Sequence, residues 1–189
     1  MELALEREIV LNKTACRIIG VAAFVLFTAL GAFVRVPLPF TPVPLTLQTM
    51  FVLLSAACLG GNLAGCSQLI YILLGVIGLP IFTNASSGLS YLAGPTGGYL
   101  AGFVVAVFFI GKAIRRVENN FLLTFALFCL ADFLLLFCGA LWLGVYLGSG
   151  FSKSFWLGFA PFVPGDILKA FAATGIYWRI RERCAGIFA

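Results

Sequence analysis

Residues 121–147 read FLLTFALFCLADFLLLFCGALWLGVYL, an apolar run that contains a single charged residue, Asp132. A helix needs about 20 predominantly apolar residues to cross the hydrocarbon core of a bilayer, so this run predicts a transmembrane helix long enough to tilt or bend. The remaining sequence has the same character: 62% of the 189 residues are hydrophobic, 10% are charged, and the mean hydropathy is +1.10. Soluble domains are about 45–50% apolar and 25% charged. The composition therefore predicts an integral membrane protein.

Five further apolar segments accompany this run, and proline, glycine or charged residues separate them. Such residues end helices or mark turns. The six predicted spans cover about 18–36, 46–59, 63–79, 99–111, 121–147 and 164–181. Because the connections are short, the sequence predicts one all-α membrane domain over residues 1–189 and no additional soluble domain. A short helix at the membrane interface is expected at about 152–159.

The basic residues predict the orientation of these spans. Six spans place both termini on one side, and that side would hold nine of the twelve Lys and Arg residues. They are Arg7, Lys13, Arg17, Lys112, Arg115, Arg116, Arg179, Arg181 and Arg183. Cytoplasmic loops carry the excess of positive charge in membrane proteins, so we expect a multi-pass protein of the cell membrane with both termini cytoplasmic. The net charge of +5 is thereby explained by the lipid bilayer and requires no nucleic acid partner.

Several kinds of chemistry have no support in the residues. The chain has no histidine and no C-x-x-C pair among its six cysteines, which argues against a zinc site and against a Ser-His-Asp or Cys-His catalytic set. No phosphate-binding G-K-[ST] motif is present. We therefore predict no catalytic residue, no metal and no cofactor, and any ATP hydrolysis coupled to this chain must occur on another subunit.

Three ionisable residues lie within predicted spans, where such residues are costly and usually functional: Asp132, Asp166 and Lys169. Asp166 and Lys169 are three residues apart on the last helix and share one face. On the same predicted outer side lie two polar loops with uncharged hydrogen-bonding groups, namely Gln48, Thr83, Asn84, Ser86, Ser87 and Thr96. A charge pair beside such groups predicts a pocket for a small polar ligand. The alternative is an internal ion pair that only neutralises two charges.

Asp132 lies about 11 residues into its span, which corresponds to a depth of about 16 Å, close to the bilayer centre. It is a candidate proton or cation site. It is equally a candidate structural residue, protonated and hydrogen-bonded to a neighbouring helix.

The chain also carries three motifs in a familiar order. They are PLPFTPVPLTLQ at residues 37–48, GLPIF at 78–82 followed by GPTGGY at 94–99, and PFVPGDILKA at 161–170. Together they resemble the BioY family of biotin-specific S components of energy-coupling factor (ECF) transporters. The resemblance covers nearly the whole chain.

The resemblance implies a six-helix S component that captures biotin from the outer side and associates with a membrane coupling subunit and two cytoplasmic ATPases. It implies that Asn84, Asp166 and Lys169 hold biotin while the loops 37–48 and 80–98 close over it. To these we add Gln48, Thr96 and Tyr99 as ligand-binding candidates. For docking on the coupling subunit, the small residues of Thr28-x-x-x-Ala32, with Ala22 and Ala23 nearby, are the expected face. The alternative function is a stand-alone or ion-coupled solute carrier that uses Asp132.

Overall fold

The structure is a computed structural model that describes the backbone of residues 2–188 and the side chains of residues 13–188. Within this part of the chain the helices are α1 (Glu2–Phe33), α2 (Gln48–Leu59), α3 (Gly61–Ile77), α4 (Leu89–Leu92), α5 (Gly97–Val117), α6 (Phe121–Tyr146), α7 (Phe151–Gly158) and α8 (Val163–Phe188). Two short strands, β1 (Arg35–Val36) and β2 (Leu45–Thr46), and a 3₁₀ turn (Thr83–Ala85) complete the described elements.

The outer surface of the helices is apolar. Among the described residues, three helical segments are long and apolar enough to cross a membrane: Lys13–Phe33, Gly97–Val117 and Phe121–Tyr146. Large hydrophobic side chains such as Leu26 on α1 and Phe133 on α6 lie exposed on these helices. Exposed apolar surface of this extent belongs against lipid. The predicted class, a mostly helical membrane protein, is therefore confirmed.

The helix α2 lies inside the bundle and packs against α1, α3, α5 and α8. It is only 12 residues long, and ten of those residues are buried. Because no apolar face of α2 meets lipid, its side chains are available to form the core of the bundle and, at its first turn, a polar site.

The helices α5 and α6 approach closely through glycines. A Cβ atom added at Gly102 would lie 3.0 Å from the carbonyl oxygen of Leu135, and one added at Gly98 would lie 2.7 Å from that of Cys138. Small residues at such crossings let the two backbones approach, which is how membrane helices gain packing contacts in the absence of a hydrophobic driving force.

The first helix ends earlier than the predicted span of about 18–36. It ends at Phe33, and Val36 is extended because it precedes Pro37, whose ring disfavours helical backbone at the residue before it. Val36 pairs with Leu45, and Arg35 with Thr46, in an antiparallel ribbon. Thr46 is thus in a strand, and α2 begins at Gln48 rather than at 46.

The other helix ends differ from the predicted spans for simple reasons. The helix α3 covers Gly61–Ile77, two residues earlier than the predicted 63–79, because Gly60 and Gly78 have the positive φ values of 78° and 120° that end helices. The helix α5 continues past 111 to Val117, since charged residues end a membrane span without ending a helix. The short helix expected at about 152–159 is confirmed as α7.

The expected docking face on α1 is wrong. Thr28 and Ala32 are both fully buried against the bundle, and the Thr28 hydroxyl donates to the carbonyl oxygen of Phe24 at 2.7 Å. The exposed side of this helix carries Ala22, which was expected near the docking face, together with Leu26 and Leu30. The spacing of small residues identified a packing stripe, but it did not show that the stripe faces inward.

Candidate ligand-binding cavity

A cavity lies between α2, α3, α5, α6 and α8, beneath the connection that joins α1 to α2. The space between its lining atoms, including the opening to the outside, is about 530 Å³. Only about 50 Å³ of it admits the centre of a water molecule. Any ligand larger than a few waters therefore requires lining side chains or loops to move.

The only charged residues that line this cavity among the described residues are Asp166 and Lys169 of α8. They form an ion pair, and they are 4% and 9% exposed. Asp166 lies in the first turn of α8, where the positive end of the helix dipole favours a carboxylate. The three-residue spacing thus produces the shared face that the sequence predicted, and the pair lines a cavity rather than being sealed between helices.

Thr49 of α2 joins the two charges. Its hydroxyl donates to Asp166 Oδ1 at 3.3 Å and accepts from Lys169 Nζ at 2.7 Å. Lys169 Nζ also donates to the backbone carbonyl of Thr46 at 2.9 Å. An ammonium has three donors, and here all three have partners. The pair is therefore held in one geometry by α2 and the ribbon.

A second hydrogen-bonded chain joins α2 to α3 and to the loop after it. The Gln48 amide nitrogen donates to the Tyr71 hydroxyl at 2.7 Å, and that hydroxyl donates to the carbonyl of Ile81 at 3.2 Å. Both side chains are buried and line the cavity. This chain fixes the position at which the loop leaves α3.

Two predicted residues from the start of α5 also line the cavity. The Thr96 hydroxyl is buried and has no hydrogen-bond partner among the described residues. The Tyr99 ring packs directly on Gly139, where a side chain would collide with it, and its hydroxyl donates to the carbonyl of Gly158 at 2.5 Å. Thr96 thus offers an unused hydrogen-bonding group, while Tyr99 offers mainly its ring.

Asn84 is the exception among the six predicted site residues. Gln48, Thr96, Tyr99, Asp166 and Lys169 line one cavity, but Asn84 does not. It is exposed at the tip of the 3₁₀ turn, with a φ of 66° that asparagine tolerates better than most residues. The predicted convergence of its amide with the ion pair is not found in this structure, and its contact with ligand stays a prediction.

Sequence reasoning missed several polar lining residues, of which Thr49 and Tyr71 matter most. Each is a polar residue within an apolar helix, and a buried hydroxyl needs a partner. The need for such a partner was the signal in the sequence that could have identified Thr49 and Tyr71 as members of a polar site. Tyr91 and Thr83, which hydrogen-bond to each other at the cavity wall, lie in the predicted polar loop.

The arrangement defines a class of protein. The cavity combines one carboxylate, one ammonium, several hydroxyls and an amide with apolar walls formed by residues such as Phe103 and Leu135. Among the described residues, no group of three or more His, Cys, Asp or Glu side chains could hold a metal ion. The molecule is a multi-pass membrane protein with a cavity of mixed polar and apolar lining at one end of its helix bundle.

Comparison with known proteins identifies the family. Residues 6–186 match the BioY family, and the chain belongs to that family. The resemblance of the three motifs is thereby confirmed.

Individual relatives cover most of the chain. A probable biotin transporter BioY from Pyrococcus horikoshii is 40% identical over 85% of this chain and 93% of its own length. The biotin transporter BioY of Thermotoga maritima is 37% identical over 83% and 92%, respectively. A crystal structure of the S-component for biotin from an ECF-type ABC transporter matches with a TM-score of 0.87 at 26% identity, covering 94% of this chain and 98% of the other.

Proposed function

We propose that this chain is the biotin-binding membrane subunit, the S component, of an ECF-type transporter and takes up biotin. It is a transport protein and not an enzyme. The observation that carries the proposal is the buried Asp166–Lys169 pair, which lines a cavity in a chain whose relatives include biotin transporters. Its structural match, the S-component for biotin, supports the same function.

The polar groups of the cavity match the groups that biotin offers. The ureido ring has two N–H donors and one carbonyl acceptor, and the valerate tail ends in a carboxylate. Asp166 provides acceptors for the N–H groups, and Lys169 donates to the ureido oxygen or the carboxylate when biotin replaces one of its present acceptors, such as the Thr46 carbonyl. The Thr96 hydroxyl is unpaired without ligand. The apolar wall that includes Phe103 and Leu136 suits the sulfur-containing ring and the aliphatic tail.

Binding requires the cavity to open. Biotin is larger than the 50 Å³ that admits water centres, so the connection over residues 34–47 or the loop over residues 78–96 must move. Thr83, beside Asn84, already lines the cavity. We therefore propose that closure of this loop over bound biotin brings the Asn84 amide to the ligand.

The proposed topology has six crossings by α1, α2, α3, α5, α6 and α8, with both termini in the cytoplasm. The end of α5 and the last helix meet at one end of the bundle, where Arg181 donates to the carbonyl of Glu118 at 2.5 Å. Lys112, Arg115 and Arg116 lie at the same end. Because basic residues favour the cytoplasmic side, the cavity at the opposite end faces outward across the cell membrane.

The proposed partners are a membrane coupling subunit and two cytoplasmic ATPases. The chain itself has no nucleotide-binding motif, so energy for reorientation comes from those subunits. The exposed side of α1, with Ala22, Leu26 and Leu30, is one surface on which a membrane partner could dock.

The direct test is a titration of the purified protein with biotin, followed by thermal unfolding. A ligand present at about 100 times its Kd stabilises the folded state by about 2.7 kcal/mol. We expect biotin, but not thiamine or riboflavin, to raise the melting temperature. Equal shifts for all three vitamins would refute the substrate assignment.

The second candidate, an ion-coupled carrier that needs no ATPase, is favoured by one observation. Both carboxylate oxygens of Asp132 are buried and have no hydrogen-bond partner among the described residues. Reconstitution of the chain alone in liposomes separates the candidates. Accumulation of biotin without ATP that disappears in Asp132→Asn would favour the carrier.

A further inference from the structure

Asp132 lies in a second, smaller cavity that adjoins the ligand cavity. It is 2% exposed, and neither of its carboxylate oxygens has a hydrogen-bond partner among the described residues. About 40 Å³ of the small cavity admits the centre of a water molecule, compared with about 50 Å³ of the ligand cavity. Asp166 and Leu136 line both cavities. Asp132, on α6, therefore lies near the Asp166 carboxylate, which Lys169 and Thr49 also contact.

The acidic and basic groups around the small cavity are unequal in number. Two carboxyl groups, Asp132 and Asp166, face one ammonium, Lys169, and all three donors of Lys169 already have partners. No donor of Lys169 remains for Asp132. An ionised carboxylate that is buried without a protein partner is unfavourable, which favours a bound cation or the neutral, protonated group.

The lining of the small cavity selects a proton over a metal ion. Apart from the two carboxyl groups and the Cys129 thiol, the lining side chains are Phe133, Leu136, Val163 and Ile167. Hard metal ions take several oxygen ligands, commonly six or more for Ca²⁺ and six for Mg²⁺. Two carboxyl groups among hydrocarbon side chains provide too few, whereas a proton needs a single oxygen.

We propose that Asp132 is a proton-binding site beside the ligand cavity and that an anionic ligand binds together with the proton on Asp132. The proposal rests on biotin as the ligand, because its carboxylate adds one negative charge to a cavity that Asp166 already lines and Asp132 adjoins. The charged groups that act on Asp132 are Asp166 and Lys169 of α8, and Cys129 lies one turn away on its own helix. The helices α2, α5 and α7 also pack on α6 but add no charge to this set.

The sign of the coupling follows from the charges. With a proton on Asp132, the site holds one carboxylate, one ammonium and the anionic ligand. Without that proton it holds one more negative charge, which repels the ligand. Affinity for biotin therefore falls as the pH rises through the titration of Asp132. If one proton binds with each biotin molecule, the affinity for biotin falls by at most about tenfold per pH unit.

The test compares biotin titrations of the wild-type protein, Asp132→Asn and Glu182→Gln from about pH 5 to about pH 9 at constant sodium concentration. Asparagine imitates the protonated carboxyl, so we expect Asp132→Asn to bind with nearly constant affinity where the wild-type affinity falls. Glu182 is an exposed carboxylate on α8, 16 residues from Asp166 in sequence, and its variant is expected to follow the wild type. Identical pH profiles for the wild type and Asp132→Asn overturn the proposal.

Infrared spectroscopy tests the proton on Asp132 without relying on biotin. The ligand-free wild-type protein is expected to show the carbonyl band of a protonated carboxylic acid that shifts in D₂O and is absent in Asp132→Asn. Absence of such a band in the wild type at every pH overturns the proposal. If biotin fails to bind at any pH, the proposed function fails, while the infrared band still decides on the proton. In a separate series of biotin titrations at one pH, an affinity that changes with sodium concentration would also overturn the proposal.

Discussion

Two acid–base pairs with the same spacing lie at opposite ends of the helix bundle. Asp166 and Lys169 occupy i and i+3 at the cavity end, with side chains 5% and 10% exposed. Arg115 and Glu118 occupy i and i+3 at the other end, 3.4 Å apart, with side chains 41% and 22% exposed. Each carboxylate also meets a hydroxyl, from Thr49 in the first pair and from Tyr177 in the second.

The comparison shows that the three-residue spacing brings the two charges of each pair into contact. The burial of a pair determines how much stability is lost when one of its charges is removed. In the exposed pair, water and salt screen each charge, so neither residue depends on the other. In the buried pair each charge is stable only beside its partner, and removal of one leaves the other unpaired. A ligand that enters the cavity therefore meets charges that are already desolvated and fixed. Four substitutions measure this difference, and they follow in order of expected effect.

Lys169→Met is expected to have the largest effect. It removes the ammonium and leaves the Asp166 carboxylate buried without its partner, which costs about 3–5 kcal/mol of folding free energy. Chemical unfolding in detergent measures this loss, and a titration with biotin is expected to show no binding.

The double variant Asp166→Asn with Lys169→Met provides the control for that result. It removes both charges, so most of the stability is expected to return while biotin binding stays lost. Lys112→Met, at an exposed position of α5, is expected to change neither quantity. A double variant as unstable as Lys169→Met would show that the charges are not what stabilises this region.

Thr49→Val is expected to have the next largest effect. Valine keeps the shape of threonine but removes the hydroxyl that joins Lys169 to Asp166, and hydrogen bonds to charged groups contribute about 1.5–3 kcal/mol. Unfolding and biotin titration are again the measurements. Thr49→Ser retains the hydroxyl and is expected to restore both properties. Failure of serine to do so would indicate that the methyl packing of Thr49, and not its hydroxyl, is important.

The sequence contained enough information to place most of this site but not all of it. Asp166 and Lys169 were predictable because ionisable residues in apolar helices are rare and their spacing fixes a shared face. Gln48, Thr96 and Tyr99 were predicted as ligand-binding residues, and all three line the cavity. The membrane character followed from composition, and the helical class followed from the lengths and boundaries of the apolar segments.

The predictions that the structure does not support concern the direction in which a residue on a helix or in a loop points. The spacing of residues in the sequence does not determine that direction. Thr28 and Ala32 share a face of α1, but that face turns inward, because the pattern is identical for a lipid-facing and a buried stripe. Asn84 lies at the tip of a turn whose neighbour Phe82 is buried against Tyr71. Which of two adjacent loop residues faces a cavity is decided by that packing, and no periodicity predicts it.

Thr96→Val is expected to have opposite effects on stability and on binding. The Thr96 hydroxyl is buried and unpaired, so its removal is expected to leave the stability of the ligand-free protein unchanged or to raise it by up to about 1 kcal/mol. If biotin uses this hydroxyl, affinity falls by the value of one hydrogen bond, about 0.5–1.5 kcal/mol or about 2- to 12-fold. Unfolding without ligand and titration with biotin give the two values, and an unchanged affinity would remove Thr96 from the site.

Arg115→Ala is expected to have the smallest effect, and it completes the comparison of the two pairs. Exposed ion pairs contribute about 0–1 kcal/mol, and Glu118 keeps the hydrogen bond from Tyr177 at 3.0 Å when the guanidinium is removed. Because salt screens exposed charges, this small loss is expected to shrink further between low and high ionic strength, while the loss in Lys169→Met stays constant. Unfolding of both variants at two salt concentrations measures the contrast. Equal losses of unfolding free energy in the two variants would mean that burial does not distinguish the pairs. The burial of Asp166 and Lys169 would then no longer support a ligand site.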